Sequence, residues 1–289
     1  MTADTGITPI ITSISELAET ADVWLLDVWG VMHNGVTPFQ SSVAACHAFQ
    51  ERGGYVLLLT NAPRPAAAVM EQLNRIGVPR TAYNAVVTSG DVTRGVVEAW
   101  AGRALYHIGP ERDRGIFVNL DVAFATSHHA DAVVCTGLID DEQESPEDYA
   151  AMFQEFQKRG VVMLCANPDL KVERGNKIVY CAGALAKAYE GLGGEVIYSG
   201  KPYLPIYELA LNTAKDSLRR DIEKDRVLAI GDGVLTDIKG AAAAGIRSVF
   251  IASGVHVDRD RSFDSQTISK LFATSDGRKP VAAMAALAW

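Results

Sequence analysis

Four short stretches of this sequence carry residues able to do chemistry. In Leu25-Leu26-Asp27-Val28-Trp29-Gly30-Val31 a carboxylate directly follows an apolar run, and a glycine permits a sharp turn. Ligands of open α/β sheets bind at the carboxyl ends of strands. Asp27 stands at such a position, although an aspartate capping the next turn explains it equally well. In Leu57-Leu58-Leu59-Thr60-Asn61-Ala62-Pro63-Arg64 a strand ends in a hydroxyl and an amide. Both can bond a phosphate oxygen, but taken alone a capped Thr/Asn turn is the simpler reading. Gly200-Lys201-Pro202 follows a run near Tyr198 and opens a helix. A lysine there opposes the helix dipole, and an anion or carboxylate would compensate it. Gly231-Asp232-Gly233-Val234-Leu235-Thr236-Asp237 sets two carboxylates five residues apart. They would repel unless a cation sat between them, and hard oxygen donors on a loop suit magnesium.

Each stretch is weak alone; the ordered set is a site for metal-assisted phosphoryl transfer. The elements that must position it are legible as apolar runs. Runs at 23–26, 55–59, 85–87, 104–108, 132–134, 161–164, 177–180, 195–198, 226–230 and 248–251 read as buried strands. Helical periodicity fills 40–50, 65–76, 91–100, 146–157, 183–192, 202–214 and 236–244. Strands alternating with helices imply a parallel sheet with crossover helices. Segments 265–273 and 281–288 read as short helices, the second packing its alanines on the core.

The chain has 289 residues, a length natural for two domains, and 48% hydrophobic content, enough for a folded core. Its net charge of −8 argues against nucleic acid or an anionic membrane as partner, because both need basic surface. Cys46, Cys135, Cys165 and Cys181 form no CxxC pair and lie in or beside apolar runs, so they read as buried thiols rather than as disulfides or a zinc site. No basic-then-apolar leader and no 18-residue apolar run is present, and a cytoplasmic protein is expected.

The four motifs, in this order, resemble those of the haloacid-dehalogenase superfamily. The resemblance runs from about Val23 to Gly254 and is strongest to the class IIA branch, whose sugar, nucleotide and 4-nitrophenyl phosphatases carry a large α/β cap between the second and third motifs. Asn167-Pro168-Asp169 and Cys181-Ala182-Gly183-Ala184-Leu185 match that branch's cap. The resemblance implies an α/β fold with a doubly wound, Rossmann-like parallel-sheet core at 1–88 and 196–289 and a smaller inserted cap at 89–195. It implies that Asp27 attacks phosphorus to form an aspartyl phosphate, and that Mg²⁺ is held by Asp27, the Trp29 carbonyl, Asp232 and Asp237. Thr60 and Asn61 would hold phosphoryl oxygens, Lys201 would neutralise charge, and Asn167 and Asp169 would contact a small phosphorylated substrate. A homodimer through the cap is expected of this branch.

The sequence departs from the family at Trp29, where its phosphatases carry a second aspartate that protonates the leaving group. General acid–base help of this kind is worth ~10²–10⁴-fold. His33 is a candidate substitute, although a surface turn histidine is the simpler reading. Trp29 leaves three rivals open. A dehalogenase would not need the Asp232/Asp237 pair. A phosphonate-cleaving enzyme would need a Schiff-base lysine such as Lys171 or Lys177. A non-catalytic binding protein would not need the complete set of Asp27, Thr60, Lys201, Asp232 and Asp237. Arg64, Lys171 and Arg174 could meet a second acidic group, or be solvated surface charge.

Overall fold

Strands buried on both faces read as continuous apolar runs, and the centre of this fold is made of them. The computed structural model describes residues 7–174, 177–252, 263–272 and 279–289. Gly254, the far end of the family resemblance, lies outside the described residues, as does the side chain of Arg174. In chain order the strands are β1 (Val23–Leu26), β2 (Tyr55–Thr60), β3 (Ala85–Thr88), β4 (Ala104–Ile108), β5 (Ala123–Phe124), β6 (Ala132–Cys135) and β7 (Val162–Cys165). There follow β8 (Lys171–Arg174), β9 (Lys177–Tyr180), β10 (Val196–Tyr198), β11 (Val227–Gly231), β12 (Arg247–Ile251) and β13 (Ala282–Met284). Every residue of β1, β2 and β11 is buried.

The chain divides into two units, one of residues 1–60, 70–87 and 207–289, the other of 61–69 and 88–206. The first is built on a six-stranded sheet ordered β13-β12-β11-β1-β2-β3. The pairings of β1 with β2 and β11, and of β12 with β11 and β13, are parallel. The chain runs outward from β1 through β2 to β3, then resumes on the other side of β1 with β11. The strand order therefore reverses between β1 and β11, the position at which doubly wound sheets bind ligands. Packed beneath are Phe250, Ile268, Phe272 and Ala283, and Trp24 stacks on Phe49 with ring centroids 4.1 Å apart.

The second unit has its own five-stranded parallel sheet, ordered β10-β7-β6-β4-β5. Here the order reverses between β4 and β6. Its core includes Phe153, Phe156, Leu185 and Tyr189. The strands β8 and β9 pair antiparallel. No helix among the described residues is long and apolar enough to cross a membrane.

The α/β parallel-sheet architecture is the one expected, but three elements differ. The expected boundary at 195/196 puts residues 196–198 in the core, yet β10 hydrogen-bonds to β7 in the five-stranded sheet, and the second unit extends to residue 206. Residues 281–288 are not a helix: β13 adds an edge strand parallel to β12. Backbone pairing there overrides the helical preference of alanine, a preference of only a few tenths of a kcal/mol per residue. The helix read as starting at Pro202 begins at Leu204.

Each unit having its own core, Phe153→Ala should cost about 3–5 kcal/mol within the second unit. Hydrogen exchange should speed up in β4, β6 and β7 and leave β1 and β11 nearly unchanged; equal acceleration in both sheets would contradict this.

Candidate active site

Asp27 emerges from the end of the central strand β1. Its N–H donates to the Ile230 carbonyl of β11 at 2.8 Å, and Leu26 is the register partner of Ile230. The Asp27 backbone is thus fixed beside Gly231, one residue before Asp232. The chain then enters a π-helical turn, Val234–Ile238, which carries Asp237. The Gly233 N–H donates to Asp237 Oδ2 at 3.1 Å, and the Tyr207 hydroxyl donates to the Asp237 carbonyl at 3.2 Å.

Asp27, Asp232 and Asp237 are all buried, and each brings a carboxylate oxygen to within 4.8 Å of the others. Such closeness requires Gly30, whose φ is +83° and at which a Cβ would overlap Asp232 Oδ2. Buried like charges at this spacing repel. Three hard oxygen donors are the kind of set that magnesium accepts, its other positions being filled by water. The donor set and the glycine cradle therefore fit a divalent cation.

Trp29 lies in the turn between Asp27 and Gly30, and its ring is packed by its own loop. The indole meets the His33 ring edge-on, with centroids 5.2 Å apart, and Gly35 lies against it. Backbone bridges from Trp29 to His33 and from His33 to Pro38 close the loop on itself. This closure overturns the reading of His33 as a surface turn residue: it is only 2% exposed. The Gly35 N–H donates to His33 Nδ1 at 2.8 Å, which puts the ring proton on Nε2. Burial lowers the His33 pKa to about 4, so the imidazole is neutral at pH 7.

Thr60 is the buried last residue of β2. Asn61, expected to hold a phosphoryl oxygen with it, has its amide committed elsewhere. Its Oδ1 accepts the Lys201 N–H at 2.7 Å, and its Nδ2 donates to the Lys201 carbonyl at 3.1 Å and to Asp169 Oδ1 at 3.0 Å. The Asn61 side chain thus pairs with Lys201 as a neighbouring strand would, and fixes the main chain of a lysine that is 3% exposed. Asn167 Oδ1 accepts the Asp169 N–H at 3.0 Å, and Cys165 Sγ donates to the Asn167 carbonyl at 3.4 Å. Asn61, Asn167, Asp169 and Lys201, all in the second unit, form one network. Lys171 lies over the Tyr180 ring, 4.6 Å from its centroid, and Lys177 is exposed.

A further cluster in the second unit joins Arg64, which the sequence offers as a contact for a second acidic group, to residues that the sequence does not single out. Arg64 Nε lies 3.9 Å from Asp113 Oδ1. Asp113 is hydrogen-bonded by the Thr136 hydroxyl, which is in turn 2.9 Å from His107 Nε2. Arg64 closes the second of the four motif stretches; Asp113, Thr136 and His107 are distant from it in the chain and stand in no recognisable motif.

The geometry is matched by likeness to known proteins. The model for haloacid dehalogenase-like hydrolases matches residues 24–123, and one for HAD-hydrolase-like domains matches 198–272. A solved haloacid dehalogenase-like hydrolase from Brucella suis 1330 is 42% identical, with a TM-score of 0.86; the match covers 96% of this chain and 100% of the other. The 5'-nucleotidase YutF of Bacillus subtilis is 23% identical over 254 residues, 86% of this chain and 95% of its own. The ribonucleotide monophosphatase NagD of Escherichia coli K12 is 23% identical over 80% of this chain and 87% of its own. With Asp27, Thr60 and Asp232 at the carboxyl ends of parallel strands and a 42% identical relative matched over 96% of this chain, the chain belongs to the haloacid-dehalogenase-like hydrolase family, in its class IIA branch.

Proposed function

We propose that this chain, a phosphatase of the haloacid-dehalogenase-like family, uses magnesium to hydrolyse a small phosphorylated metabolite of the sugar-phosphate or nucleotide class. The observation that carries the reading is the convergence of the buried carboxylates of Asp27, Asp232 and Asp237. The similarity to a 5'-nucleotidase and a ribonucleotide monophosphatase supports the substrate class. A cytoplasmic homodimer is part of the same proposal.

Asp27, the Trp29 carbonyl, Asp232 and Asp237 would hold the cation. When bound, magnesium supplies charge neutralisation at the phosphoryl oxygens. A carboxylate oxygen of Asp27 attacks phosphorus, the bond to the alcohol oxygen breaks, and an aspartyl phosphate forms; water then releases inorganic phosphate and restores Asp27. The Thr60 hydroxyl holds a phosphoryl oxygen, and the Lys201 ammonium offsets charge on the intermediate. Asn61 acts through Lys201 as a positioning residue. Asn167 and Asp169 shape the loop that receives Asn61.

Trp29 offers no proton to the departing alkoxide, and His33 is neutral and packed inside its loop. The chemical step on sugar phosphates is therefore slow, and it is faster where the leaving group is good.

With magnesium present, Asp27→Asn should abolish turnover of 4-nitrophenyl phosphate; activity that survives would exclude Asp27 as nucleophile. Gly30→Ala should weaken magnesium binding by at least about tenfold, the new methyl displacing Asp232, as read by titration calorimetry. Trp29→Asp should raise kcat on sugar phosphates by about tenfold or more, as expected when a general acid is restored. An unchanged kcat in that variant would show that proton transfer does not limit the enzyme.

A further inference from the structure

Each of the two parallel sheets has one point at which its strand order reverses. In the six-stranded sheet that point, between β1 and β11, carries Asp27 and Asp232. In the five-stranded sheet it falls between β4 and β6. Parallel sheets of this order bind ligands at the carboxyl ends of the two strands flanking the reversal. The residues found there are polar and closely fitted. Gly109 follows β4 with φ +153°, and a Cβ on it would overlap Thr136 Oγ1, which follows β6. Thr136 bonds both His107 and Asp113.

Arg64 completes the group, and its main chain is held rigidly. The Thr88 hydroxyl donates to the Arg64 carbonyl at 2.7 Å, and Gly90 admits the Arg64 backbone so closely that a Cβ there would lie 2.5 Å from it. Arg64 is three residues from Asn61, the clamp on Lys201, so the two α-carbons are at most ~11 Å apart. A small phosphorylated molecule held beside Asn61 would have Arg64 within reach in the same unit.

We propose that Arg64, Asp113 and Thr136, at the carboxyl ends of β4 and β6, form a subsite for the hydroxyl groups of a phosphorylated polyol or sugar. The proposal rests on the phosphatase reading and names its substrate class more closely. Charge balance favours hydroxyls over a second anion. Arg64 faces Asp113, and Arg112 pairs with Asp141, so the cluster carries no net positive charge. The 3.9 Å between Arg64 Nε and Asp113 Oδ1 exceeds a direct hydrogen bond. A hydroxyl oxygen set between them accepts from the guanidinium and donates to the carboxylate, as only a group with both capacities can. Burial pushes the Asp113 pKa up to about 6 against the pull of Arg64 and Arg112. Its carboxylate is ionised at pH 7 but poorly hydrated, and gains from a donor. A site built around buried polar groups rejects an analogue that leaves them unpaired.

The test compares glycerol 3-phosphate with propyl phosphate, its hydroxyl-free counterpart, using magnesium-loaded full-length protein. The wild type should favour glycerol 3-phosphate in kcat/KM, and Asp113→Asn and Thr136→Val should each shrink that ratio by about tenfold, mainly through KM. Melting temperatures check that the variants fold. Binding of ribose 5-phosphate to the Asp27→Asn protein, by titration calorimetry, should weaken about tenfold when Asp113→Asn is added. Turnover with a selectivity ratio and an affinity indifferent to Asp113 and Thr136 would overturn the subsite and leave the phosphatase reading standing. Asp113-dependent binding without turnover of either phosphate would do the reverse.

Discussion

Three carboxylates held within 4.8 Å of one another, away from bulk water, resist being there. Their repulsion is the constraint around which the first unit is organised. Asp27 is fixed by a backbone bond to β11, Asp237 by the Gly233 N–H and the Tyr207 hydroxyl, and Asp232 by the space that Gly30 leaves. A divalent cation would turn the arrangement from costly to favourable, and preorganised charge of this kind is where phosphoryl-transfer catalysts gain most. The same constraint explains why the loop after Asp27 closes over Trp29 and His33: packing the loop on itself keeps the turn at Gly30 in place.

The second unit solves a different problem by similar means. The strand order of its five-stranded sheet also reverses once, and polar residues also gather at that point. There, however, opposite charges offset one another, and the Asn61 amide pairs with the Lys201 main chain in place of a ligand. Lysine has a long and mobile side chain; fixing its backbone reduces the entropy lost when its ammonium is held in place.

Much of this was legible in the chain. Valine and leucine runs such as Val23–Leu26 and Val227–Gly231 declare buried strands, and the carboxylates that follow them declare a site. What was hidden depended on partners distant in sequence. Nothing in Val196–Tyr198 says which sheet it joins, and the motif lysine after it invites the wrong choice. Ala282–Met284 has helix-forming residues but meets the open edge of β12. The burial of His33 follows from bridges that its loop makes with itself. The Asn61 amide looks like a phosphate ligand until Lys201, from the far side of the inserted unit, is found occupying it. Asp113 stands in a polar stretch, and only the fold brings Arg64 and Thr136 to it.

The central pairing of the six-stranded sheet joins β1, near the start of the chain, to β11, which follows the whole of the second unit. During synthesis, therefore, Asp27 leaves the ribosome long before Asp232 and Asp237 exist. The N-terminal strands have an open edge at β1 until the inserted unit has been made, and contacts so distant in sequence form slowly. A truncated chain ending within the inserted unit would have Asp27 but neither Asp232 nor Asp237. The three-carboxylate cluster can therefore form only after the second unit and β11 have been made.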